Sequence, residues 1–347
     1  MTGAAVAVLG AGSWGTALAR LLADNGCSVR LWDRDPAHSA RIGIDRENKR
    51  YLPGAALPPT VEVTADLPAA LNGADAVVFA VPGGAMRNVA ERARLALPPD
   101  ALIISAAKGL EPSGLRMSEV AAEALECGAA QIVALSGPNL AVELAAGMPT
   151  ATVVASVASE ARQRAQQLFH TRHTPVFRVY TSDDVAGVEL GGAVKNVIAI
   201  GAGLCDGLGF GDNTKAALMT RGLAETVRLG TAIGARADTF MGLSGVGDLM
   251  ATGASNLSRN YRIGAAIGRG ASLDDALATV GQVAEGVPTT SALYRLAGSA
   301  GIEMPLACAL YGVLFSGSDP REAITALMLR PPRAEGGETR PDRFEPA

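Results

Sequence analysis

Lys195 and Asn196 interrupt Val188-Glu189-Leu190-Gly191-Gly192-Ala193-Val194-Lys195-Asn196-Val197-Ile198-Ala199-Ile200, a stretch that is otherwise small and apolar on nearly every face. A lysine buried in such a helix is desolvated, which weakens its hold on the extra proton and lets it give or take a proton at a carbinol oxygen. The alternative is that its stem runs to the surface and keeps the ammonium in water. Asn196, a second polar group on the same apolar element, weighs towards a site. Asp248 in Gly242-Leu243-Ser244-Gly245-Val246-Gly247-Asp248-Leu249 follows a glycine-rich turn and opens a helix. It could orient Lys195 or simply cap that helix. Ser258-Arg259-Asn260 places a guanidinium between two short hydrogen-bonding side chains, a set able to clasp a phosphate or carboxylate with two parallel bonds. A surface arginine is the plainer reading. Lys108-Gly109 follows an apolar run ending at Ser105, and Ser136-Gly137-Pro138-Asn139 makes a tight turn after the next one. Read together, these groups outline a pocket for a small anion between two domains.

The histidines offer less. His38 falls at a helix start, and His170 and His173 fall at a helix end, where cationic side chains are favoured for electrostatic reasons alone. No Cys or carboxylate cluster accompanies the latter pair, so no metal site is expected.

The elements that must position these groups begin with Ala5-Val6-Ala7-Val8-Leu9-Gly10-Ala11-Gly12-Ser13-Trp14-Gly15-Thr16-Ala17-Leu18-Ala19, a buried strand running through a glycine turn into a helix. Gly10 permits the turn, Gly12 lets the backbone approach a pyrophosphate, and Gly15 lets helix and strand pack closely, while the helix N-terminus offers N–H groups to an anion. A glycine turn that only joins a strand to a helix is the alternative. Against it, a second strand, Ser28-Val29-Arg30-Leu31-Trp32, ends in the carboxylate of Asp33 at the distance where a dinucleotide's ribose is read. Up to residue 182 short apolar runs alternate with amphipathic stretches, including Asp75–Pro82, Ala101–Ser105, Gln131–Leu135 and Thr152–Ala155, the pattern of a parallel sheet wrapped by helices. After Thr181-Ser182-Asp183-Asp184 the chain turns to Ala, Leu and Gly at helical spacing. The expected fold is therefore α/β: an N-terminal doubly wound, Rossmann-type domain over residues 1–182, then an all-α domain over 183–334. Ser272 with Asp275, and Ser318-Asp319-Pro320, mark helix starts. Residues 335–347, rich in Pro, Gly and charge, are expected to form a mobile tail.

The length of 347 residues exceeds what one core usually supports, which agrees with two domains. A net charge of −4 without a basic stripe argues against nucleic acid as a partner. No run of about 18 residues lacks a charge or breaker, and Met1-Thr2-Gly3 leads straight into the first strand, so a soluble, untargeted cytoplasmic chain without membrane insertion is expected. Cys27, Cys127, Cys205 and Cys308 stand singly, which suits buried thiols in a reducing compartment and no disulfide.

On these residues the chain resembles the soluble bacterial-type NAD(P)-dependent sn-glycerol-3-phosphate dehydrogenases over nearly its whole length. The likeness is carried by Gly10–Ala19, Ala107-Lys108-Gly109-Leu110, Ser136-Gly137-Pro138, Val194-Lys195-Asn196-Val197, the run Asp206–Glu225, Gly245-Val246-Gly247-Asp248-Leu249 and Ser258-Arg259-Asn260. It implies reversible reduction of dihydroxyacetone phosphate to sn-glycerol 3-phosphate with NAD or NADP and no metal, feeding glycerophospholipid synthesis; a homodimer, supported by exposed apolar helix faces, is expected. It implies Lys195 as the acid/base and Asp248 as its charged neighbour. Lys108, Gly137, Asn139, Ser258, Arg259 and Asn260 would line the substrate, and Gly10, Gly12, Ser13, Trp14, Gly15, Asp33, Arg34, Lys108, Ala141, Arg259, Val283 and Glu285 the cofactor. Where the family usually has Ser or Thr then Phe after Ser-Gly-Pro, this chain has Asn139 and Leu140, which puts that one substrate contact in question. Asp33 accepts from a ribose 2′-hydroxyl and repels a 2′-phosphate, whereas Arg34 welcomes that phosphate; use of both cofactors is expected, with NADH better tolerated than in relatives neutral at this position. A β-hydroxyacid or 6-phosphogluconate dehydrogenase relative, and a non-enzymatic NAD(P)H-sensing module, are the competing readings.

Overall fold

The computed structural model describes residues 3–171, 176–332 and 335. His173, and the tail beyond Glu335, lie outside the described residues. The chain divides into two compact units, Met1–Lys108 with Met117–Val188, and Gly109–Arg116 with Glu189–Ala347. The second unit thus takes in a short excursion from the first half as well as everything beyond 188, a division that a single boundary at 182 does not capture. The reason is visible in the excursion's contacts: Arg116 pairs with the buried Glu189 carboxylate at 3.2 Å, and a side chain at Gly114 would meet Leu296.

In the first unit, strands and helices alternate as β1 (Ala5–Leu9), α1 (Ser13–Asp24), β2 (Ser28–Trp32), α2 (Pro36–Asp45), β3 (Val61–Thr64), α3 (Leu67–Leu71), β4 (Ala76–Phe79), α4 (Met86–Arg94), β5 (Leu102–Ser105), α5 (Met117–Leu125), β6 (Ile132–Ser136), α6 (Ala141–Ala145), β7 (Thr150–Ala155), α7 (Ser159–Phe169) and β8 (Phe177–Ser182). They form one sheet in the order β3-β2-β1-β4-β5-β6-β7-β8. Neighbours run parallel except β6 and β7, whose Leu135 faces Val154 in antiparallel register. That one reversal departs from an all-parallel sheet. A parallel return needs a long crossover, normally a full helix, whereas only the five-residue α6 lies between these strands. The central strands are buried on both faces, as helices on both sides of a sheet require. At the edges, β8 begins with alternating buried and exposed positions, and β3 has only Val61 buried. Strand order reverses between β1 and β4, the switch point outside which ligands of such sheets bind.

The second unit is helical: α8 (Val185–Gly207, which begins just before the division), α9 (Asp212–Ala232), α10 (Asp248–Gly253), α11 (Arg259–Gly268), α12 (Leu273–Val280), α13 (Gly286–Ala300), α14 (Pro305–Phe315) and α15 (Pro320–Met328). Caps fix several starts. The Ser272 hydroxyl accepts from the Asp275 N–H at 3.1 Å, and the Asp319 carboxylate accepts from the N–H groups of Arg321 and Glu322. α8 is long and apolar enough to cross a membrane by length and composition, but its apolar window is wholly buried inside the fold.

Glycines set how closely α8 is gripped. A Cβ on Gly203 would lie 1.9 Å from the Tyr261 carbonyl oxygen, and one on Gly264 would lie 1.9 Å from that of Ile200. Gly207 and Gly268, one turn further along each helix, are also crowded, with carbonyl oxygens 2.4 and 2.6 Å from where a Cβ would be. The two backbones therefore touch through paired small-residue stripes, which no larger residue would allow.

One buried carboxylate belongs to the packing. Glu225 on α9 accepts from the N–H groups of Leu306 and Ala307 at 2.7 and 3.2 Å, so it caps α14 from a neighbouring helix. Burial pushes its carboxyl up from 4.5 to about 7, against the two amide bonds. A carboxyl held above its unfolded value binds more protons when folded. Its contribution to stability is therefore full below the unfolded value and is lost as pH rises through about 7. Glu225→Gln cannot ionise and should abolish that slope. In urea unfolding, the stability of the parent minus that of the variant is expected to fall by about 3 kcal/mol between about pH 4 and about pH 8. A pH-independent difference would rule this out.

Candidate active site

The glycine turn follows directly from where its neighbours lie. Gly10 has φ +110°, and a Cβ there would sit 2.8 Å from the Ala80 carbonyl oxygen at the end of β4. A Cβ on Gly15 would fall 1.9 Å from the Gly10 carbonyl oxygen, so α1 can start this close to β1 only with glycine. Gly12 differs, because a Cβ there would meet nothing within 4 Å. It is the N-cap residue of α1, and no side chain caps the helix. The first-turn amides thus face room beside the backbone, with no acidic residue in that turn, which fits the pyrophosphate of a dinucleotide. Gly15→Ala is expected to cost several kcal/mol of stability, in line with overpacking of about 1–3 kcal/mol or more. Gly12→Ala should unfold like the parent yet lose dinucleotide binding. Calorimetric unfolding together with a nucleotide titration distinguishes the two, and equal behaviour of the variants would contradict these separate roles.

Around the turn, Ser13 Oγ donates to the Tyr51 carbonyl at 2.6 Å, and Trp14 packs half-buried against the sheet's core. Asp33 closes β2; its Oδ1 accepts from the Asp35 N–H at 2.9 Å. Arg34 is exposed beside it. Lys108 Nζ donates to the Gly137 carbonyl at 3.1 Å. A Cβ on Gly137 would stand 2.9 Å from the Thr152 Cα. Asn139 turns its Nδ2 to Thr150 Oγ1 and the Ala151 carbonyl, at 3.1 and 2.9 Å. Both of its donors therefore tie the turn to β7. Ala141 begins α6.

In the helical unit Lys195 is 8% exposed and Asp248 1%. Lys195 Nζ lies 2.7 Å from Asp248 Oδ1 and donates to Thr252 Oγ1 at 2.6 Å. Thr252 in turn donates to Asp248 Oδ1 at 3.3 Å. The sequence leaves surface exposure and burial open for Lys195, and capping and pairing open for Asp248. The structure shows a buried ion pair, with no side-chain cap at the start of α10. Glycines permit it. Gly191, one turn before Lys195 on α8, lets the Ser244 carbonyl within 2.4 Å of where a Cβ would be, and Gly245 does the same for the Phe240 carbonyl. The π-helical turn Leu243–Gly247 is thereby laid against α8 and delivers Asp248 to the lysine.

Ser258 caps α11, its hydroxyl accepting from the Tyr261 N–H at 3.2 Å. Asn260 is buried; its Nδ2 donates to Asn196 Oδ1 and its Oδ1 accepts from the Gly286 N–H, both at 2.9 Å. These amides join α8, α11 and α13. Arg259, at the first position of α11, is exposed by surface area and touches Gln282 Oε1 only at 3.5 Å. Neighbouring atoms nonetheless crowd its guanidinium, and this desolvation lowers its proton affinity while the Glu285 carboxylate acts in the opposite sense. It remains a cation. Val283 is 49% exposed and Glu285 half-buried just before α13. Among the described residues no group of three or more His, Cys, Asp or Glu could hold a metal ion.

Residues 5–162 match the family model for the NAD-dependent glycerol-3-phosphate dehydrogenase N-terminus, and residues 184–325 match that for its C-terminus. A glycerol-3-phosphate dehydrogenase [NAD(P)+] of Geobacillus kaustophilus is 50% identical over 331 residues, covering 95% of this chain and 96% of that protein. The chain belongs to the NAD-dependent glycerol-3-phosphate dehydrogenase family. The Pelotomaculum thermopropionicum glycerol-3-phosphate dehydrogenase [NAD(P)+] is 52% identical over 329 residues, covering 94% of this chain and 93% of its own. The crystal structure of a glycerol-3-phosphate dehydrogenase from Coxiella burnetii superposes with TM-score 0.90 at 39% identity, covering 94% of this chain and 99% of that one. As a member of the glycerol-3-phosphate dehydrogenase family the chain is an NAD(P)-dependent oxidoreductase.

Sequence reading misses Thr252, although a hydroxyl four residues after Asp248 on one helix face is a usable signal. It also misses Asn48, a fully buried amide bonded to the glycine turn. Nothing local marks that residue, because its partners come from α1 and α2.

Proposed function

We propose that this enzyme reduces dihydroxyacetone phosphate to sn-glycerol 3-phosphate, reversibly, with NADH or NADPH, and so supplies a backbone precursor of glycerophospholipids. The observation that carries the reading is the buried Lys195–Asp248–Thr252 constellation in a chain of this family. Lys195 protonates the substrate's carbonyl oxygen as C2 is reduced. Asp248 and Thr252 aim its ammonium through their bonds to Nζ, and the proton passes to the carbonyl oxygen as that atom becomes alkoxide-like. In the reverse direction the neutral amine accepts the proton.

The glycine turn at Gly10, Gly12 and Gly15, with Ser13 and Trp14, holds the pyrophosphate half of the dinucleotide, and Asp33 with Arg34 faces its adenosine ribose. When bound, the nicotinamide supplies the hydride. Arg259 grips phosphate through its forked donors, and Glu285 orients that guanidinium. Lys108 adds a second cation for the substrate, with Gly137 shaping the turn beside it. Ala141 and Val283 contribute cofactor contact. Ser258 and Asn260 act mainly by fixing Arg259, since their side chains are already bonded within the protein. Asn139, whose donors serve β7, holds the turn and does not reach for substrate.

The chain acts in the cytoplasm as a homodimer. Exposed Phe315, Met328 and Leu329 at the end of the helical unit support the dimer. Burial pushes the Cys205 and Cys308 thiols up to about 11, which suits thiols that stay reduced. The deciding assay follows the absorbance of reduced nicotinamide with purified protein, dihydroxyacetone phosphate and either NADH or NADPH. Turnover with both cofactors is expected. Binding of cofactor without turnover, or turnover of a hydroxy acid in place of the phosphate ester, would overturn the substrate assignment.

A further inference from the structure

His38 lies on the first turn of α2, buried between two fixed partners. Its Nε2 is 3.2 Å from Asn48 Oδ1, and its Nδ1 is 3.3 Å from Asp33 Oδ2. The orientation of the Asn48 amide is settled by its other bonds. Nδ2 donates to the Ala11 carbonyl and to Thr16 Oγ1, both at 2.8 Å, and Thr16 passes its own hydrogen to the Gly12 carbonyl. Oδ1 accepts from the Tyr51 N–H at 3.2 Å. Because both partners are acceptors, a hydrogen on either ring nitrogen is met, by Asn48 Oδ1 at Nε2 or by Asp33 Oδ2 at Nδ1.

We propose that His38 is a positioning residue that sets cofactor specificity: bridging Asn48 and Asp33, its ring fixes the Asp33 carboxylate at the end of β2 and offers it a donor, so that an adenosine 2′-phosphate is accepted there. The proposal rests on the reading of Asp33 as the group facing the adenosine ribose. It resolves the opposition between Asp33 and Arg34, since a carboxylate held against the ring is turned from the phosphate that Arg34 attracts. The same chain of bonds reaches the glycine turn at Ala11 and Gly12, so one network holds both the ribose end and the pyrophosphate end of the nucleotide site. The charged and titratable groups around the imidazole are Asp33 from the end of β2 and, from the segment before β3, Tyr51, edge-on at 5.3 Å, with Arg50 stacked 4.9 Å from the Tyr51 ring.

The test measures dissociation constants of NADH and NADPH by titration calorimetry on the parent, His38→Gln, Asp33→Asn and the double variant, with circular dichroism to confirm folding. Glutamine keeps a donor towards Asn48 and loses the one towards Asp33. In His38→Gln the ratio of the NADPH constant to the NADH constant should rise about tenfold or more, while NADH binding changes by less than about threefold. In the Asp33→Asn background the same substitution should leave the ratio within about twofold, because the carboxylate that the ring holds is gone. An unchanged ratio in His38→Gln, or an equal rise with Asp33→Asn present, overturns the proposal. Should His38→Gln not fold, His38→Asn decides in the opposite sense: its amide stands where Nδ1 does and keeps a donor towards Asp33, so the ratio of the parent should be retained, and a raised ratio overturns the proposal. A parent that binds neither nucleotide would overturn the cofactor-site reading itself, an outcome distinct from a parent that binds both with a ratio indifferent to His38.

Discussion

Lys195→Met is expected to lower kcat for dihydroxyacetone phosphate reduction by ~10²–10⁴-fold, the range of a positioned general acid, with NADH binding retained. The lysine's surroundings make the experiment more demanding than a single substitution. Asp248 is 1% exposed and its Oδ1 lies 2.7 Å from the ammonium, so removing the cation strands a buried carboxylate. Breaking such a pair commonly costs about 3–5 kcal/mol, whereas replacing both partners is often near neutral. Lys195→Met alone should therefore lose both activity and stability. Adding Asp248→Asn should restore most of the stability and none of the activity. Urea unfolding alongside initial rates reads the two effects apart. An activity that returned with stability would show that Lys195 matters for the fold and not for the proton. Asp248→Asn alone leaves the ammonium bonded to Thr252 and should reduce kcat less than the loss of Lys195 does.

How far this constellation could be read from the sequence depends on the range of the interaction. The dinucleotide turn is legible because its three glycines stand within six residues between an apolar strand and a helix, and β1, α1 and β2 are consecutive. The central strands are legible because burial on both faces makes them continuous apolar runs. The edge strands β3, Val-Glu-Val-Thr, and β8, Phe-Arg-Val-Tyr-Thr-Ser, are not singled out, since half of each is accessible and the alternation is too short to stand clear of loop composition. Likewise β7 reads as a strand, but its antiparallel direction depends on how short the link from β6 is. For Lys195 the apolar context is local, while its partners arrive from 53 and 57 positions away, through glycine contacts that only packing reveals. Asn260 is legible only in part. Its amide stands beside Arg259 in the sequence, but its bonds to Asn196 and Gly286 come from distant helices.

Arg259→Ala should lower kcat/KM for dihydroxyacetone phosphate by ~10²–10⁴-fold, expressed mostly in KM, because two charge-assisted bonds of about 1.5–3 kcal/mol each are lost. The position favours such a role. Arg259 opens α11, where the helix dipole already favours an anion, and among the described residues its guanidinium makes a long 3.5 Å contact to Gln282 with the Glu285 carboxylate nearby. Its fork is therefore largely available, while Ser258 and Asn260 on either side are fixed by their own bonds and hold the backbone that carries it. Arg259→Lys keeps the charge and loses the parallel geometry, so it should recover only part of the loss. The sharper comparison uses dihydroxyacetone, which has the reacting carbonyl and lacks the phosphate. If Arg259 binds phosphate, the preference of the parent for the phosphorylated substrate should collapse in Arg259→Ala, with the slow turnover of dihydroxyacetone left nearly unchanged. A variant that loses both substrates equally would instead place Arg259 at the cofactor or at the reacting centre, and Lys108 would become the principal cation for the phosphate.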